Sequence, residues 1–102
     1  MKNKEYVLEA VKVAERLKHC KHYFFKDDDG AHANPKTATS CCTFGALHLV
    51  NNWQGIPTAV INALEEAAGK DMCAIVAWND SYRVGKEDVI ALLKKTAEII
   101  ED

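Results

Sequence analysis

Apolar and polar positions alternate along this chain with the period of helices almost throughout. In residues 4–19, Val7, Ala10, Val11, Ala14 and Leu17 recur every three or four positions, while Lys4, Glu9, Lys12, Glu15 and Lys18 take the wet side. This is an amphipathic scaffold helix. A second helix starts at Ser40, whose hydroxyl suits an N-cap, and stops at the turn-rich Asn51-Asn52-Trp53-Gln54-Gly55. Cys42, Gly45, Ala46, Leu49, Val50 and Trp53 share one face of it, and Phe44 and Leu47 make it apolar most of the way round. A helix of that kind belongs inside a domain, so the remaining elements are expected to pack around it.

Pro57 and Gly69 bracket a third helix, carrying Val60, Ile61, Leu64, Ala67 and Ala68 as its inner stripe, with Pro at the first turn and Gly just past the end. Met72–Trp78 is short and apolar throughout, so its period cannot separate strand from helix. The reading leans to a short helix capped by Asp71, broken by Asn79-Asp80-Ser81 and fully covered. A last helix spans Lys86–Ile100, with Val89, Leu92, Leu93, Thr96, Ala97 and Ile100 inside and Glu87 and Asp88 against its N-terminal dipole.

The exception to the helical period is Cys20–Thr39. Tyr23, Phe24 and Phe25 are strand-prone and Asp27-Asp28-Asp29-Gly30 is a turn signal. A ragged hairpin follows, its second arm between Ala31 and Thr39 and interrupted at Asn34-Pro35. The expected fold is mainly α: a single domain over residues 1–102, four helices around a central buried one, with a short β-hairpin-like excursion that leaves α+β open.

Composition narrows the function classes more than it names one. The 102 residues are 48% apolar and 27% charged with a formal net charge of −2, an ordinary globular balance with no basic field for nucleic acid. No apolar run is long enough to cross a bilayer and the first twenty residues do not read as an export signal. With four cysteines, two of them adjacent (Cys41 and Cys42), reduced thiols in a cytoplasmic protein are the expected state.

Cys42-Thr43-Phe44-Gly45-Ala46-Leu47, followed by Ala74-Ile75-Val76-Ala77-Trp78-Asn79-Asp80, resembles a family of small uncharacterised proteins found widely in bacteriophages and bacteria. Its hallmark is a Cys-Ala-x-Gly-Ala helix, then a Trp-Asn-Asp motif, then a final helix opening with Thr-x-x-Glu-Val. Cys42, Gly45, Ala46, Trp78, Asn79, Asp80 and Val89 fall on that pattern, which spans the C-terminal two thirds of the chain. Thr43, Gly85 and Asp88 depart from it, standing where the family has Ala, Thr and Glu. The resemblance implies a compact cytosolic domain in a phage or bacterial setting and carries no activity.

Several residue groups invite chemistry. Cys41 and Cys42, in the first turn of the expected helix, would have lowered thiol pKa values, and His22 or His32 would be the base; the competing reading is two small core residues. His19, Cys20, His22, Cys41 and Cys42 are zinc-ligand types at a spacing that matches no finger. Aligning Gly30 with the glycine of a calcium loop puts Phe25 and Lys36 where carboxylates are required. Lys18, His19, Lys21, His22 and Lys26 beside Tyr23–Phe25 form a basic-aromatic patch, weakened for phosphate by Asp27–Asp29. Asn79 and Asp80 either order a turn towards Arg83 or floor a pocket with His48, Asn51 and Asn52.

No nucleophile, base and orienting group come together. The expectation is a non-catalytic binding protein without metal or cofactor, acting on a host or viral protein as a phage accessory factor. Its candidate binding residues are His22, His48, Asn79, Asp80 and Arg83. A small-ligand or nucleotide binder that sequesters a signal is the alternative, and a thiol enzyme centred on Cys41 the second.

Overall fold

The computed structural model describes residues 1–52 and 54–102. The expected place of Trp53 on the stripe of the second helix lies outside the described residues. Those residues form five helices and a small three-stranded sheet, a mainly α fold with a small β part.

Helix α1 (Asn3–Arg16) buries Val7, Ala10, Val11 and Ala14 as the pattern leads one to expect, and Tyr6 in addition, while Leu17 is buried just past its end. It lies against α5 (Lys86–Ile99), which buries Val89, Ile90, Leu92, Leu93, Thr96 and Ala97. Against α5, and touching α1, packs α3 (Thr58–Ala68), closed by Gly69 in the left-handed conformation at φ 68°, where a side chain would be strained. Helix α2 (Thr43–Val50) packs on α1, and its first five residues are buried. The Tyr6 hydroxyl donates to the Leu47 carbonyl at 2.6 Å, satisfying both groups inside the α1–α2 seam.

Ser40 is not the N-cap of α2. Ser40–Cys41 is strand β3, the middle of a sheet ordered β1-β3-β2. It runs parallel to β1 (Lys18–His19) and antiparallel to β2 (Phe25–Lys26). Pairing on both sides fixes this backbone as extended, which a cap-like serine could not signal. Helix α2 begins three residues later, with Cys42 as N-cap and its Sγ accepting from the Gly45 N–H at 3.2 Å. The second arm of the hairpin is therefore β3 itself, beyond the expected Ala31–Thr39, where only a single Lys26–His32 bridge forms. The Asp27–Gly30 turn is present: the Asp27 carboxylate accepts from the Asp29 and Ala31 N–H groups.

Gly45 is needed by contact. An added Cβ would run into the Phe24 carbonyl oxygen and lie 3.1 Å from its carbon. That carbonyl already accepts the Cys42 N–H at 3.0 Å, so it cannot easily withdraw.

Helix α4 (Met72–Asp80) is capped by the Asp71 carboxylate, which accepts from the Ala74 N–H at 2.9 Å. It continues through Asn79 and Asp80 instead of breaking there. Nor is the segment fully covered: Ile75 and Asn79 are its buried residues, while Met72 and Val76 are 37% and 45% exposed. The inner side of α4 meets α3 and the β1–β2 connection, and no element among the described residues covers the outer side. No helix among the described residues is long and apolar enough to cross a membrane.

Candidate functional site

The end of α4 and the β1–β2 connection, residues 20–24, are tied together by polar contacts that build one site. Asn79 is 2% exposed and lies at their centre. Its Oδ1 accepts from the Thr43 N–H at 3.0 Å, from the Thr43 hydroxyl at 2.7 Å and from His19 Nε2 at 3.0 Å. Its Nδ2 donates to the Cys20 carbonyl at 3.2 Å and to Asp80 Oδ1 at 3.1 Å. One amide thus joins α2, α4 and β1, and satisfies an otherwise orphaned N–H in the first turn of α2.

Lys21 clamps the same region from outside. Its Nζ donates to the carbonyls of Asn79, Ser81 and Val84 at 3.2, 2.8 and 2.6 Å. A cation at the C-terminal carbonyls of α4 is favourable for the helix dipole as well. Next along the chain, His22 adopts a positive φ of 72°, rare for a residue with a side chain. Asp80 holds it there: Oδ1 accepts the His22 N–H at 2.8 Å, and Oδ2 lies 3.5 Å from Nδ1.

This left-handed step turns Tyr23 and Phe24 outward, 48% and 41% exposed, while Phe25 returns to the core. Between them and α4 opens a pocket of about 280 Å³. Cys42, Phe44 and Asn79 are its buried lining residues, Tyr23, Phe24, His32 and Val76 its exposed apolar and imidazole walls, and His22 with Asp80 its polar corner. Burial pushes the Asp80 carboxyl up, but hydrogen bonds from the His22 N–H and Asn79, with the charges of His22 and Lys21, outweigh it. The result lies below the ordinary carboxylate value, so the Asp80 carboxyl is ionised at neutral pH.

A family of unknown function, DUF6197, matches residues 4–99. The chain belongs to that family. No curated protein and no solved structure matches it.

Of the residues singled out from sequence, the structure of this DUF6197 chain brings His22, Asn79 and Asp80 together. His48 stands apart, its ring packing edge-on against Phe24 at 5.2 Å and its pKa lowered by burial. Arg83 turns away from the pocket on an exposed loop, where Nε donates to the Tyr82 hydroxyl at 3.0 Å. Asn51 and Asn52 are exposed beyond the far end of α2 and line no part of this pocket. Thr43, Val76 and Phe44 are site residues that sequence reasoning missed, and Lys21 was read only as part of the basic-aromatic patch; their roles depend on partners distant along the chain.

The cysteines behave differently from the sequence expectation. Cys41 lies in β3 and Cys42 caps α2, so neither occupies a helical first turn. Burial, aided by neighbouring thiols, pushes Cys41 up to about 12. Burial likewise takes Cys42 up to about 11 in spite of the Gly45 N–H at its sulfur. Both remain protonated thiols at neutral pH, and a thiol is a poor nucleophile. Among the described residues, no three His, Cys, Asp or Glu side chains are placed to hold one metal ion.

Proposed function

We propose that this protein is a non-catalytic binding protein that takes one side chain of a partner protein into the pocket between α4 and residues 20–24. The observation that carries the reading is the setting of the pocket. It opens onto exposed apolar surface, Tyr23, Phe24 and Val76, which Met72 extends one helical turn along α4. Exposed apolar surface around a concave anchor site is characteristic of protein interfaces. At about 280 Å³ the pocket is at the low end of small-molecule sites, roughly 300–1,000 Å³, and has room for a single large side chain.

A nucleotide is a poorer occupant, because the Asp80 carboxylate would repel phosphate. A thiol enzyme is poorer still, given the protonated state of Cys41. The resemblance seen in Cys42–Leu47 and Trp78–Asp80 supports a phage or bacterial setting, within which we read the chain as an accessory factor acting on a host protein. Four free thiols, three of them buried, suit a reducing cytoplasm.

The test uses a photo-crosslinking residue at Tyr23 in the native host, with crosslinked proteins identified by mass spectrometry. A defined partner should be recovered, and Val76→Glu should abolish its recovery. Leu8→Glu, at an equally exposed apolar position on α1, should leave it intact. Recovery that Val76→Glu and Leu8→Glu leave alike would overturn the reading, as would no crosslink above background.

A further inference from the structure

We propose that the group entering the pocket is an alkylated ammonium, the head of a methylated lysine on the partner protein. This rests on the reading of the pocket as a partner site and names the chemistry of its occupant. Three aromatic side chains, Tyr23, Phe24 and Phe44, line the pocket together with one carboxylate, Asp80. Ring faces attract cations through their quadrupoles, and alkylated ammonium groups are the ligands such aromatic sites recognise. The Tyr23 ring already holds a cation in the free protein, with Lys26 Nζ 5.3 Å from its centroid. Asp80, its side chain 22% exposed, supplies the complementary charge at the polar corner.

Hydrogen-bond accounting separates this cation from the commoner ones. The acceptors of the pocket are largely committed within the protein. Asn79 Oδ1 takes three donors, Asp80 Oδ1 takes the His22 N–H and the Asn79 amide, and Cys42 Sγ takes the Gly45 N–H, which leaves Asp80 Oδ2, 3.5 Å from His22 Nδ1, to face an incoming cation. An unmodified lysine brings three N–H donors and an arginine five, and donors buried without acceptors are costly. A dimethylated lysine head brings one N–H and a trimethylated head none, so these heads need charge and ring surface instead. The pocket offers both, in the Tyr23 and Phe44 rings that line it and the Asp80 carboxylate at its corner.

The experiment is a titration of the isotopically labelled full chain, followed by amide chemical shifts at constant ionic strength. The probes are N-acetyl-trimethyllysine amide, N-acetyl-lysine amide, choline, its uncharged carbon isostere 3,3-dimethylbutan-1-ol, and phosphatidylcholine vesicles. The trimethyllysine probe should shift the amides of Tyr23, Phe24, Val76 and Asp80 and bind about tenfold more tightly than the unmodified lysine probe, from cation–π contact. Choline should exceed its isostere by a similar factor. Asp80→Asn, which keeps the shape of the side chain, should weaken the trimethyllysine probe about tenfold. Tyr23→Leu should do the same, at a position exposed enough for the fold to survive.

Equal binding of the isostere and choline, or of lysine and trimethyllysine, overturns the proposal. So does the absence of shifts at these amides with every probe. Preference for the vesicles over the trimethyllysine probe overturns the assignment to a protein side chain. Should these probes fail while Val76→Glu still abolishes partner crosslinking, the partner site stands and its occupant is a different side chain.

Discussion

Replacing Asn79 by Ala tests the polar contacts that build the site. The substitution removes the shared acceptor of the Thr43 N–H and hydroxyl and the donor to the Cys20 carbonyl. Thr43 is fully buried, so neither of its groups reaches water in the unrelaxed fold. Loss of a helix-capping contact costs about 1 kcal/mol. A buried hydroxyl and a buried carbonyl left unsatisfied each add about 1 kcal/mol or more. The expected loss is therefore about 3 kcal/mol, against a total stability of roughly 5–15 kcal/mol for a domain of this size. Urea unfolding followed by far-ultraviolet circular dichroism measures it as a lowered midpoint with an unchanged slope. A double-mutant cycle with Thr43→Val should return a coupling of about 1–2 kcal/mol, since the two residues share contacts. A loss for Asn79→Ala under about 1 kcal/mol, or a coupling near zero, would refute the reasoning that one amide carries the junction of α2, α4 and β1.

Gly45→Ala should destabilise by about 2 kcal/mol despite the better helix propensity of alanine, because its Cβ meets the Phe24 backbone; a raised melting temperature would refute this. Burial lowers the pKa values of His19 and His48, so the unfolded chain binds more protons and stability should decline as pH falls below about 6.5. His19→Gln with His48→Gln should flatten that limb in pH-dependent urea melts. The depressed Asp80 carboxyl contributes stability that is present above the ordinary carboxylate range and lost as pH falls through its folded value. Asp80→Asn should remove that second, more acidic loss. Alkylation at neutral pH should label exposed Cys73 first, with Cys20, Cys41 and Cys42 reacting only on unfolding; labelling of Cys41 as fast as Cys73 would reopen the thiol-enzyme reading.

Much of the framework was legible locally. The stripes of α1, α3 and α5, the Asp71 cap and the Gly69 stop all act within a few residues, through side-chain period and backbone conformation, so a linear reading captures them. The family match over residues 4–99 supports the coarser expectation of an uncharacterised domain family. Ser40 shows where local signals fail: serine suits a cap and a strand alike, and pairing with β1 and β2 decided between them.

The site was legible only in part. His22, Asn79 and Asp80 drew attention as polar residues in turn-like settings, but nothing local joins residue 22 to residues nearly sixty positions later. His48 and Arg83 looked equivalent to them and face other neighbours. The apolar run of α4 led to the expectation of full burial, since hydropathy records what a residue prefers and not whether another element arrives to cover it. Helix period, caps and turns were thus set by the chain itself. The strand register, the open face of α4 and the gathering of an aromatic-walled pocket around the Asp80 carboxylate were set by long-range packing, because each depends on which distant backbone happens to lie alongside.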